Sequence, residues 1–71
     1  MNLRTFIASG RMTQTELARA VGVSPGMVWQ WINQYRRIAA EKVLAIEAAT
    51  GGAVTRHDLR PDIYPRDQDA A

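Results

Sequence analysis

Few side chains in this 71-residue chain have the types and spacing for chemistry. His57 stands beside Asp58, but adjacency along a chain does not build a proton relay, and no nucleophile accompanies the pair. Ser24 opens an apolar run and suits a helix cap better than nucleophilic attack. Gly51-Gly52 lacks the strand, the spacing and the lysine of a phosphate loop. One histidine and no cysteine leave no ligand set for a metal, and no cofactor is expected. The remaining candidates are recognition groups. Gln30 carries both a donor and an acceptor on one side chain. Arg36 and Arg37 are adjacent cations suited to phosphate, with Arg11 and Tyr35 as weaker candidates. The chemistry is binding rather than catalysis, so the chain is not expected to be an enzyme.

Positioning these groups falls to about five short helices. Asn2 can cap a first helix from Leu3 to about Ser9, with Leu3, Phe6 and Ile7 at helical spacing and Gly10 at its end. Thr13 and Glu16 form a Thr-x-x-Glu capping box for a second helix reaching about Ala20. Its apolar stripe is Leu17, Ala18 and Val21, and Gly22 makes the following turn. Ser24 caps a third helix, with Pro25 in its first turn, running to about Gln34. Ala39–Thr50 is rich in helix formers and stops at Gly51-Gly52, giving a fourth helix with Val43, Leu44 and Ile46 inward. Thr55 and Asp58 repeat the capping arrangement, and Pro61 limits a fifth helix to one or two turns.

Trp29 and Trp31 cannot share a face, because two helical positions subtend about 200°. Val28 and Trp31, three apart, take the inner side, which sends Gly26, Trp29, Gln30 and Asn33 outward. For Trp29 two placements stay open. It can lie against a thymine methyl or the sugar-phosphate wall, or it can pack on the chain's own tail or a second protomer.

The net charge is +2, and its distribution says more. Residues 1–60 hold eight basic and four acidic side chains, whereas 61–71 hold Arg66 against Asp62, Asp67 and Asp69. A basic body with an acidic end fits a polyanion partner. The organisation expected is one domain over 1–60 and a partly disordered tail over 61–71, with Ile63 and Tyr64 docking and Arg60 and Asp62 pinning it. The start MNLRTFIASGRM lacks the apolar core of a signal peptide, and no run is long enough to span a bilayer. A soluble protein of the cytoplasm, with no membrane partner, is expected.

Two short helices joined by a glycine turn, the second capped and anchored by apolar residues, describe a helix-turn-helix. The chain here resembles the Cro-like phage and prophage repressors, and among them the YdaS-like group. The likeness rests on TQTELARAVGVS (Thr13–Ser24), the V-x-x-W of Val28–Trp31, AAEKVLAIEAATGGAV (Ala39–Val54) and DLRPDIY (Asp58–Tyr64). It covers the chain to about Tyr64. Many repressors share the helix-turn-helix, while AIEAATGGAVTRHDLRPD is more specific. The resemblance implies an all-α, lambda repressor-like bundle. It implies a regulator that lays helix 24–34 in the major groove of a double-stranded operator as a homodimer, associated with the nucleoid of a bacterial or phage-infected cell. Some Cro relatives replace helices four and five by a β-hairpin, but the alanine-rich fourth segment favours the all-helical form.

Members place glutamine or serine at the positions of Pro25, Gly26 and Trp29, so the resemblance puts these with Gln30 at base-reading positions. This chain departs there, since Pro25 and Gly26 offer no side-chain hydrogen bond. Gln14 matches the family glutamine that meets the DNA backbone, with Thr13 and Thr15 in support and Asn33 in reach of sugar or phosphate. YdaS-like proteins are also read as antitoxin-like partners, so the alternative is a protein-interaction module whose DNA binding is secondary or autoregulatory. A dimer surface on helix four and Val54–Tyr64 is expected.

Overall fold

Capping chemistry sets four of the five helix starts. In the first, Asn2 Oδ1 accepts the Thr5 amide at 2.8 Å and opens α1, Leu3–Ala8. Thr13 and Glu16 close their capping box in both directions, at 3.1 and 2.9 Å, and open α2, Gln14–Val21. Ser24 Oγ accepts the Met27 amide at 3.2 Å ahead of α3, Pro25–Ile32. Thr55 and Asp58 cap α5, Arg56–Leu59. Only α4, Ala40–Ala49, starts without a side-chain cap, and it carries the strongest helix formers to compensate. The computed structural model describes residues 1–65, and within them the chain is all-helical with no strand.

The inward stripes of these helices meet in one core. Leu17, Val28, Val43, Ile46 and Val54 are fully buried, each worth about 1.5–3 kcal/mol on removal from water. Leu3 and Phe6 of α1 and Leu59 of α5 close its ends. α2 packs on both α3 and α4, and α4 packs on α5. Ala18 is buried, and its carbonyl accepts both the Gly22 and the Val23 amides, at 2.8 and 2.9 Å. Such a turn needs the left-handed φ of +83° that Gly22 adopts. Val23 packs half-buried at the junction of the two helices.

Two expectations about the helices are corrected. α3 ends at Ile32, two residues short of Gln34, because the chain reverses there in a Schellman motif. The Tyr35 amide bonds to the Gln30 carbonyl at 2.9 Å and the Gln34 amide to the Trp31 carbonyl at 3.2 Å, with Gln34 at φ +61°. Leu44 is 48% exposed rather than inward. The inward pair of α4 is Val43 and Ile46, three apart, and their stripe leaves Leu44 on its flank.

Thr50 is the buried polar residue that ties the end of α4 to the next segment. Its hydroxyl oxygen accepts the Val54 amide at 3.2 Å and donates to the Glu47 carbonyl at 3.1 Å. After α5 the amides of Ile63 and Tyr64 both bond to the Arg60 carbonyl. Tyr64 packs against the core as expected, whereas the expected docking of Ile63 is corrected, since that side chain is 44% exposed. Arg60 grips Asp62 through two bonds of 3.0 and 2.8 Å, as expected, and donates to the Ile38 carbonyl at 2.7 Å. The expected disorder of the tail, and the charges of Arg66, Asp67 and Asp69, lie outside the described residues. Among the described residues no helix is long and apolar enough to cross a membrane.

Candidate nucleic-acid interface

The outward face of α3 is built by what the inward face consumes. Val28 and Trp31 are buried, and their burial fixes the rotation of the helix about its axis. Trp29 is thereby left 48% exposed and Gln30 half-buried. Pro25 and Gly26 form the exposed first turn. A side chain added at Gly26 would meet only Ser24 Oγ, at 3.9 Å, so nothing inside the molecule requires glycine there.

At the other end of α3 the reversal at Gln34 swings Tyr35 back over Trp29. The two rings stack with centroids 5.4 Å apart and planes 10° from parallel. This is the apolar contact that often accompanies a Schellman motif, between the residue after the left-handed one and the fourth from the helix end. It sets Trp29 on Tyr35. Tyr35, expected only as a minor phosphate contact, is the brace of that indole.

Asn33 is committed within the molecule. Its Nδ2 donates to the Trp29 carbonyl at 2.9 Å, and its Oδ1 accepts Arg4 Nη2 at 3.3 Å. Arg4, on α1, is a residue the sequence did not single out, because its partner lies 29 positions away. Arg4, Arg36 and Arg37 line one open cleft of about 830 Å³ together with Asn33, Tyr35 and Asp58. Arg37 reaches Asp62 at 3.7 Å, with both side chains exposed, whereas Arg36 projects openly. Gln14 and Thr15 stand apart from this cluster in the first turn of α2, Gln14 half-buried and Thr15 exposed. Arg11 is absent from the cleft too, its guanidinium lying over the Phe6 ring at 5.5 Å.

The carboxylates near the cleft are held ionised. Partial burial pushes the Asp58 carboxyl up, but the Thr55 amide and hydroxyl and the amino terminus at 3.0 Å outweigh it and hold the group at about 2. Hydrogen bonds from Arg60 bring Asp62 to about 2. His57 Nδ1 lies 2.8 Å from the Tyr64 carbonyl, while the Asp58 carboxylate accepts the Thr55 amide. Among the described residues no group of His, Asp or Glu is placed to hold a metal ion. What the arrangement can do is meet a polyanion with three arginines beside an exposed helix face.

Comparison with known proteins finds relatives that are named as regulators. A family model described as bacterial toxin YdaS matches residues 10–68. A protein of Escherichia coli (strain K12) named, provisionally, as the transcriptional regulator YdaS is 52% identical over 50 residues. That alignment covers 70% of this chain and 51% of the relative, so the chain spans about half of that protein's length. A prophage transcriptional regulatory protein of the same organism is 44% identical over 54 residues, covering 76% of this chain and 82% of the relative. No solved structure matches the chain.

Proposed function

The chain belongs to the YdaS family, and from that premise we propose that it is a prophage transcriptional regulator that binds duplex DNA as a homodimer, with α3 in the major groove. The observation that carries the reading is the outward face of α3. It is exposed on a helix that packs against α2 across the Gly22 turn, and its C-terminal end is flanked by Arg4, Arg36 and Arg37. In this reading Gln30 and Trp29 meet base edges, with Pro25 and Gly26 letting the first turn approach closely. Gln14, Thr15, Arg36 and Arg37 meet phosphates, and Asn33 acts mainly by holding Arg4 towards the backbone. The regulator works by occupying DNA and not by catalysis, from the cytoplasm of the host cell.

The test is footprinting on the intergenic region upstream of the gene at two salt concentrations. A protected pair of half-sites about one helical turn apart is expected. Arg36→Ala and Arg37→Ala should each weaken binding to all sequences and lower the salt slope by about one. Salt dependence unchanged in the double variant would remove both arginines from the interface. A second reading draws on the word toxin in the description of the family model and on the exposed Trp29, Leu44 and Ile63. There the chain docks a protein partner and DNA binding is autoregulatory. Co-purification with a neighbouring gene's product, without salt-sensitive protection of the promoter, would favour it.

A further inference from the structure

Resting on the DNA-binding reading above, we propose that the stacked Trp29–Tyr35 pair is a thymine reader, packing on the C5-methyl of a thymine beside the adenine addressed by Gln30. The two stacked rings form one apolar unit at the surface, with Trp29 48% and Tyr35 76% exposed. That unit is assembled from contacts within the chain itself. The Schellman bonds fix Tyr35 by its own backbone, and the stack in turn fixes the indole, so little side-chain freedom is lost on binding.

The choice of occupant follows from the neighbours. Arg36 and Arg37 follow Tyr35 directly, and Arg4 stands at Asn33, on the same end of α3. A partner that suits the stack and the arginines together must present methyl groups and phosphates within a few ångströms of one another, which is the character of a T-containing major groove. The first turn of α3 adds to the case. Pro25 and Gly26 have no side-chain donors, so apolar contact is the means of reading left to much of this face beyond Gln30. Thymine is the base whose major-groove edge carries a methyl group.

The test uses the full chain and duplexes enriched by it from a random-sequence pool, with each thymine then replaced singly by deoxyuridine. Loss of one methyl contact, about 0.8 kcal/mol, corresponds to about fourfold weaker binding. That loss is expected at one thymine per half-site, beside the adenine whose replacement costs most. Trp29→Ala should bind more weakly and no longer distinguish thymine from deoxyuridine at that position, while Trp29→Phe keeps part of the distinction. Enrichment of a sequence with no thymine sensitive to methyl loss in the unaltered protein overturns the proposal, as does full sensitivity retained in Trp29→Ala. If sedimentation shows that Trp29→Ala abolishes self-association, and the unaltered protein ignores the methyl, the stack belongs to a second copy of this chain. Failure to enrich any sequence overturns the DNA-binding reading itself and is thereby distinct from failure of the stack.

Discussion

Gln34 holds a left-handed φ of +61°, a conformation that costs an ordinary L-residue about 1–2 kcal/mol and a glycine nothing. The cost is tolerated because the two Schellman bonds at this point end α3 and bring Tyr35 onto Trp29. Gln34→Gly should therefore raise stability by about 0.5–1 kcal/mol, the relief of strain minus the extra entropy glycine brings to the unfolded chain. Urea unfolding would show a higher midpoint at unchanged slope, and an unchanged or lower midpoint would mean that the Gln34 side chain contributes a contact of its own. The residue scale also separates what sequence could disclose. Caps at Asn2, Thr13, Ser24 and Thr55 are legible because donor and acceptor lie within three positions of each other. The end of α3 was not, since glutamine gives no sign of a left-handed residue.

At the scale of elements, burial of Trp31 and exposure of Trp29 follow from helical rotation alone, and the same reasoning finds the inward Val43 and Ile46. It fails at Leu44, where hydrophobicity and direction disagree and direction prevails. It also fails at Arg4, whose relation to Asn33 exists only once α1 has docked beside α3. A single buried hydroxyl ties the end of α4 to the segment that leads into α5. Thr50 Oγ1 accepts the Val54 amide, and both residues are buried. Thr50→Val keeps the volume but leaves that amide without a partner, so a loss of about 1–3 kcal/mol is expected. Thr50→Ser, which keeps the hydroxyl, should lose less. Thermal melts of the two variants check this, and a valine variant as stable as the serine one would show that the amide finds another acceptor.

Across the whole molecule, the stretch that carries the most specific family resemblance builds a clasp around the core, while the outward face of α3 lies elsewhere. Glu47 takes the Arg56 guanidinium through two bonds of 3.1 and 2.8 Å, and that guanidinium lies over the Tyr64 ring at 5.8 Å. Arg60 joins Asp62 to the Ile38 carbonyl and so steadies the loop that bears Arg36 and Arg37. Exposed ion pairs are individually weak, but this set is linked by shared residues to backbone groups of the loop and of α5. The carboxylates give it a pH signature. Asp58 and Asp62 each fall from an ordinary 3.8 to about 2 on folding, and Glu47 is lowered by its hydrogen bonds to Arg56. A group with a depressed folded pKa contributes its stability above the unfolded value and loses it as pH falls through the folded one. The melting temperature should thus be insensitive to these two aspartates from neutral pH to about 4, then drop between about 4 and 2. Asp58→Asn combined with Asp62→Asn should start lower at neutral pH and drop less steeply across that window. A double variant that falls in parallel with the unaltered protein would locate the acid-sensitive groups outside Asp58 and Asp62, with Glu47 the remaining lowered carboxylate of the clasp.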